Sequence, residues 1–597
     1  MAGGTLRTMH DGQIVRERTP LHLPLCRYFF PQVCAYVLAW KLAFPVVVWL
    51  CFGVLVLVAA CLVRYKFNRQ AGEPLHGVGW RRGARVNLTQ VTLWQQRLLI
   101  LCFSLACFGA YYEWREGGSD LIRQQDSFAW PESETSIELV VEQLWSNTSG
   151  DRIAGIGRVL AAPAHARVAV GERVAFDAFA DFEWEHPPWV GSRLRLRGVR
   201  TAIEVPSEAE TIAPFSQWLA EQGVFFRLHQ ATVREVIYHA QPTWGERANA
   251  QFESQLRRGL PEASPLADVY VAMLLGKRVA LSQEQITAFR ETGTMHFFAI
   301  SGLHIKVIAV TLFYLLNLFR IPRLWGMVIG LTALALYVYI TGASPSAVRA
   351  FLMVFFFWIG VSVSLRQHAP MAAWMNAAFL VLLLDPSALF MIGFQLSYAV
   401  VASIFLFGLP LIRVLSTKWE YHVTARVEPD GRIMSWLNGT VKFILTAFCV
   451  GLSAWLASTP LTLVHFNLFV PGAVLLNIPL VLLCTGTLVA GVLSLLTGLV
   501  GLGVIGGLLN YVSMLFLWLM TLVVDGGHET WLSGSELASV LPIPAIVGLI
   551  GFLLLCWRAE KRLSPGGPER NLTSFLPAVF LLALCCAIAI VGAWILI

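Results

Sequence analysis

GTMHFFAISGLHIK, Gly293 to Lys306, is the stretch that decides how this chain is read. His296, Ser301, His304 and Lys306 fall in a run that is otherwise apolar through to Leu318. Ionisable groups at membrane depth cost several kcal/mol unless they face a bundle interior or a wet cavity. At 100° per residue, His296, Ser301 and His304 share an arc of roughly 140°, and Lys306 points nearly opposite. A regular lipid-facing helix cannot hide both sets. The stretch must be surrounded by neighbouring helices, or its backbone must unwind near Ser301-Gly302, as broken helices do where they line a cavity. It is expected to form the wall or floor of a pathway.

The rest of the chain supports a membrane setting. It has 597 residues, 56% hydrophobic, and a mean hydropathy of +0.64, values that exclude a single soluble domain. The net charge is +7, but Glu113 to Glu291 holds 25 acidic and 18 basic residues, so the excess of positive charge lies elsewhere. That split suits basic cytoplasmic loops and one extramembrane domain on the other side. The eleven cysteines lie in or beside apolar segments and outside the polar block, which gives no disulfide framework and no zinc-ribbon spacing. No cleavable signal pattern opens the chain.

Four regions follow in order. Residues 1–112 comprise a basic lead and three membrane segments, with a strongly basic linker at 64–97. Residues 113–235 switch to period-two alternation between Gly and Pro turns, as in SIELVVEQLW and SRLRLRGVR, and predict an antiparallel barrel or sandwich of about five strands. Arg193, Arg195 and Arg197 project from one face there, with Leu194 and Leu196 on the other. Such a basic strand face could follow a phosphate backbone or could simply be solvated. Residues 236–292 read as amphipathic surface helices, with Ser264-Pro265 as a start and Gly276 as a stop. Residues 293–597 form the main membrane domain. The fold class is therefore a polytopic α-helical membrane protein of about 11–13 spans with a small extracytoplasmic β domain after the third span.

Further polarity marks this membrane domain. Arg349 sits at the mouth of a span after the turn TGASPS. Asp385 and Pro386 form a start signal, and Gln395 lies inside the following span. His465, Asn467 and Asn477 stand among prolines in STPLTLVHFNLFVPGAVLLNIPL. Singly, each could be an ordinary interhelical hydrogen-bonding group.

LLGKRVALSQEQITAFRETGTMHFFAISGLHI, SPSAVRAF, DPSALFMIGFQLSYA and STPLTLVHFNLFVPGAVLLNIPL resemble the successive blocks of the competence domain of ComEC proteins. Those are DNA-internalisation proteins of natural transformation. The early segments and β domain also resemble that family's N-terminal region with its OB-like fold. The resemblance implies an inner-membrane, multi-pass channel passing single-stranded DNA into the cytoplasm. Its pathway would run by His296, Ser301, Gly302, His304, Lys306, Arg349, Asp385, Gln395, His465, Asn467 and Asn477, with Arg193, Arg195 and Arg197 as DNA contacts on the β domain. It implies neither cofactor nor metal. Its partners would be DNA, the lipid bilayer, a separate nuclease, a DNA receptor protein and a cytoplasmic helicase or ATPase. Many members carry a further metallo-β-lactamase-like domain, but no HxHxDH motif occurs here, so a channel without the nuclease is expected. Two other classes remain open: a transporter of another solute, and an intramembrane serine hydrolase using Ser301 with His304 or His465 as base.

Overall fold

The computed structural model describes residues 6–8, 14–16, 31–38, 104–112, 133–145, 152–163, 170–180, 188–203, 219 and 224–536, the last without 262–263, 277–282, 299, 365–369, 425–431, 467, 471 and 530–534. The basic linker 64–97 and the apolar segments expected at 44–63, 541–557 and 574–597 lie outside them, as does Asn467. Two compact units are distinguished, one of 1–123, 352–395 and 567–589, the other of 124–351, 396–566 and 590–597.

The period-two region forms a closed barrel of β1 (Ser133–Trp145), β2 (Arg152–Ala161), β3 (Arg173–Ala180), β4 (Arg193–Ala202) and β5 (Val224–Tyr238), in the order β1-β2-β3-β5-β4. It is not wholly antiparallel, contrary to expectation, because β3 and β5 run parallel. Five strands cannot alternate direction around a closed ring, so one parallel junction is unavoidable. The arrangement resembles the five-stranded Greek-key OB barrel. Ile137, Leu139, Phe176, Leu194, Leu196 and Leu228 fill the core, while Arg193, Arg195 and Arg197 point outward. Gly155 permits the β1–β2 approach at a bulge, since a Cβ there would stand 2.1 Å from the Gln143 carbonyl oxygen.

Three helices follow: α1 (Trp244–Arg257), α2 (Pro265–Leu275) and α3 (Gln283–Glu291). Local signals set their ends. Thr243 and Glu246 form a reciprocal capping box, Ser264 caps α2 with Pro265 in its first turn, and Gly276 closes α2 at φ 71°. A surface position does not describe α2. Its residues from Val269 to Leu275 are all buried, Leu274 packs on Gly491, and the Tyr270 hydroxyl donates to Asn510 Oδ1 at 3.1 Å. An apolar sequence with no polar face has to be covered on every side.

The membrane helices are α4 (Gly302–Leu318), α5 (Arg323–Ile340), α6 (Pro345–Ser364), α7 (Pro370–Leu384), α8 (Ile392–Ser403), α9 (Leu409–Thr424), α10 (Arg432–Phe466), α11 (Ala473–Leu499) and α12 (Gly503–His528). Among the described residues six helical stretches are long and apolar enough to span a bilayer: Met295–Leu318, Arg323–Ile340, Ile392–Thr417, Leu437–Leu463, Ala473–Leu499 and Gly503–His528. Phe313, Tyr314, Leu318, Trp325 and Val328 are exposed, as lipid-facing side chains are. Helix α10 continues through Pro460 without a break. The hydroxyls of Ser458 and Thr459 donate to the Trp455 carbonyl in the turn before it, so polar groups beside the proline stay satisfied.

In the other unit, Tyr36 donates to the Leu382 carbonyl at 3.0 Å and Tyr111 to that of Leu383 at 2.6 Å. Helices 31–38 and 104–112 are thus tied to the end of α7, far away in sequence.

Candidate functional site

The polar stretch does not form one helix. After the 3-10 turn Met295–Phe297 the chain leaves helical geometry, Ser301 is extended at φ −113° and ψ 174°, and α4 begins at Gly302. His304 occupies the place that Glu or Gln takes in a capping box: the Ser301 amide donates to its Nδ1 at 3.3 Å, and the Ser301 Oγ lies 2.8 Å from the same nitrogen. An Nδ1 that accepts from an amide leaves the proton on Nε2. That nitrogen is buried without a hydrogen bond of ordinary geometry, beside the Phe297 carbonyl. His296 is exposed, holds the Gly293 carbonyl through Nδ1 at 3.0 Å, and packs on Phe297.

The start of α4 comes against the second turn of α6. Gly302 faces Ala350 of α6, and a Cβ on it would touch only that residue, at 3.9 Å. Ser344 caps α6 by accepting from the Ala347 amide. The turn before it holds Gly342 at φ 86° and Ala343 at φ 48°, the latter a conformation costly for a residue with a side chain. First-turn amides lack helical partners, so each helix start favours negative charge. Arg349, 8% exposed, donates from Nη2 to Ser397 Oγ at 3.1 Å, with Tyr398 as an electrostatic neighbour. Lys306 lies on the exposed stripe of α4 with Gly302, Val310 and Asn317, and among the described residues it makes no ion pair. From Thr292 to Leu384 the chain has no Asp or Glu, whereas it has Lys306, Arg320, Arg323, Arg349 and Arg366.

The remaining candidates are placed differently. Asp385 caps a single 3-10 turn, Pro386–Leu389, accepting from the Ser387 amide at 3.1 Å and its hydroxyl at 2.6 Å. Gln395 donates to the carbonyls of Leu389 and Phe390 and holds the same turn. Both have local roles in the unit that contains 352–395. His465 is half-buried at the end of α10, and the Asn477 Oδ1 in α11 is buried without a hydrogen bond among the described residues. Ser397 and Tyr398 were missed as partners of Arg349; the signal available was their position just after Gln395 in FQLSY. Among the described residues no group of His, Cys, Asp and Glu has metal-site geometry.

The barrel's arginines are already engaged. Arg195 lies between Glu138 of β1 and Glu235 of β5, directly opposite both in register, and pairs with each. Arg197 pairs diagonally with Glu134 at 2.8 Å. Arg193 is exposed and has no ion pair among the described residues. On the far edge Arg152 grips Asp177 with two hydrogen bonds, at 2.7 and 2.5 Å, which hold that carboxyl below its ordinary range.

Residues 273–562 match the family model described as Competence protein. Over those residues the membrane half of this chain is similar to the Competence protein family. Over 135 residues the chain is 38% identical to ComE operon protein 3 of Bacillus subtilis (strain 168), covering 23% of this chain and 17% of that protein. It is 30% identical over 184 residues to Competence protein ComA of Neisseria gonorrhoeae (28% and 26% covered), and 30% identical over 162 residues to the uncharacterized protein YcaI of Escherichia coli (strain K12; 26% and 21%). The chain thus spans about a quarter or less of these relatives. No solved structure matches it. The Ser301–His304 box and the Gly302–Ala350 approach of α4 to α6 both lie within the matched residues.

Proposed function

We propose that the competence domain carries single-stranded DNA through the inner membrane into the cytoplasm during natural transformation, with the β domain on the extracytoplasmic side. The observation that carries this reading is the stretch without carboxylates from Thr292 to Leu384, with Lys306, Arg349 and two helix starts in its first part. A strand bears one negative charge per nucleotide, and burying each phosphate in hydrocarbon without partners costs many kcal/mol. Cations and helix-start amides replace the lost water, and the absence of acids removes repulsion. Gly302 keeps that surface open beside Lys306. Separate nuclease, receptor and helicase or ATPase partners fit the same reading.

The test is DNA uptake measured beside the amount of folded protein in the membrane. Lys306→Ala and Gly302→Leu are expected to lower uptake and leave folded protein unchanged; parallel loss of both quantities would leave these residues a structural role. A second reading has its own observation, the 2.8 Å contact between Ser301 Oγ and His304 Nδ1. An intramembrane hydrolase would use that pair as nucleophile and base. Labelling of Ser301 by a reactive-serine probe would favour it over the channel. Against it stands the Nε2, which among the described residues has no carboxylate hydrogen-bonded to it to orient the ring.

A further inference from the structure

The turn after α1 meets the α11–α12 hairpin close to its three-residue connection, Val500–Leu502. Two side-chain groups of the hairpin hold this junction. Asn510 donates to the carbonyls of Gln255 and Arg258, at 2.9 and 3.1 Å, and the Tyr511 hydroxyl donates to that of Gly259. Gln255 is buried and donates to the Ser494 carbonyl at 3.3 Å. Beside this junction opens a cavity of about 480 Å³. Gln251, Ser254 and Arg258 supply its polar wall, and Phe252, Leu495 and Leu499 its apolar one.

Arg258 is placed unusually. Its carbonyl sits beside Gly507 and Asn510, but its guanidinium lies against Gly503, four residues nearer the start of α12. The side chain therefore climbs about 6 Å along the helix towards the hairpin's end. A Cβ on residue 503 would stand 1.6 Å from Nη1, so any residue larger than glycine there makes the guanidinium move. Arg258 is exposed and makes no ion pair among the described residues. Around it, Leu499, Val500 and Val504 are 69%, 76% and 83% exposed, an apolar rim that water would not tolerate and acyl chains would. Two spans longer than the hydrocarbon layer end here, which puts the rim at headgroup depth.

The geometry points to a binding site for an anionic phospholipid, with its phosphate on Arg258 and its chain along Leu495 and Leu499. The site would pin the α1–α2 turn to the hairpin through lipid as well as through Asn510. It rests on the membrane setting of α11 and α12 and is independent of DNA passage.

The test uses the full chain in detergent, with native mass spectrometry and added phosphatidylglycerol or phosphatidylcholine. One phosphatidylglycerol is expected to be retained in preference to phosphatidylcholine. Arg258→Gln should weaken that retention about tenfold or more, as loss of a charge-assisted contact does. Its carbonyl, not its side chain, holds Asn510, so the fold is kept. Gly503→Ala should weaken retention as well, by displacing the guanidinium with its charge intact. Equal retention of the two lipids, or unchanged retention in both variants, overturns the site. Displacement by millimolar inorganic phosphate reassigns it to a free anion, and displacement by an oligonucleotide reassigns it to the DNA path; either result also overturns the lipid.

Discussion

The barrel and the start of α4 use positive charge in opposite ways. On the barrel, Arg195 stands between two glutamates, Arg197 has a third, and Arg158 and Arg173 share Glu142. In the membrane domain, Arg349 is buried and donates to a hydroxyl, Lys306 is exposed without an ion pair among the described residues, and the surrounding sequence has no acid. Exposed pairs on a solvated strand face contribute little to stability and cancel the field a polyanion would feel. Cations at membrane depth are costly, and a chain that keeps them in a stretch without carboxylates has a use for the field. The basic row that stands out in the sequence is thus the weaker candidate for DNA, and the sparse cations of α4 and α6 are the stronger.

The sharpest way to break this contrast is Arg349→Ala. It removes the buried cation placed to meet phosphate, and DNA uptake should fall about tenfold or more, as loss of one charge-assisted contact does. Folded protein in the membrane should persist, with Ser397→Ala giving a smaller loss. If Arg349→Ala protein disappears from the membrane, the arginine holds the bundle and the contrast fails.

Ser301 sharpens the comparison by separating structure from charge. Ser301→Ala loses the cap of α4 and should cost about 1 kcal/mol, read as a lower unfolding temperature in detergent. Ser301→Asp can cap the first-turn amides but sets a carboxylate against the accepting Nδ1, so it should recover that stability only in part and still depress uptake by placing a carboxylate where none occurs. Normal uptake in the aspartate variant would show that freedom from acids is incidental.

On the barrel side the charges should report through pH. Asp177 has its folded-state pKa depressed by Arg152, so it contributes stability that is present above the ordinary aspartate range and is lost as pH falls through the depressed value. Hydrogen-exchange protection at β3 in the full chain, taken relative to the intrinsic exchange rate at each pH, should therefore fall towards acid relative to pH 7. Asp177→Asn should flatten that difference. An unaltered acid response in the variant would assign it to other groups.

The smallest effect is expected from replacing Arg193, Arg195 and Arg197 together by alanine. Each lost phosphate contact flattens the salt dependence of single-strand binding by roughly 0.7. Since Arg195 and Arg197 are already paired, the triple variant should lose about one such contact rather than three. A change near three contacts would mean that the glutamates release both arginines to DNA.

Local pattern determined much of this protein. The period-two run is a barrel whose Leu194 and Leu196 are buried, Ser264-Pro265 and Gly276 bound α2, and the backbone breaks before Gly302. Such features depend on neighbours within a turn or a strand, so a short window of sequence contains their cause. Tertiary structure alone decided the rest. It set Glu138 and Glu235 opposite Arg195, brought Ser397 to Arg349 across 48 residues, buried α2 against the α11–α12 hairpin, and gave Asp385 and Gln395 a shared turn to hold. Whether a charge is cancelled or left to act depends on which distant residue the register and the packing place against it. No local period encodes that partner.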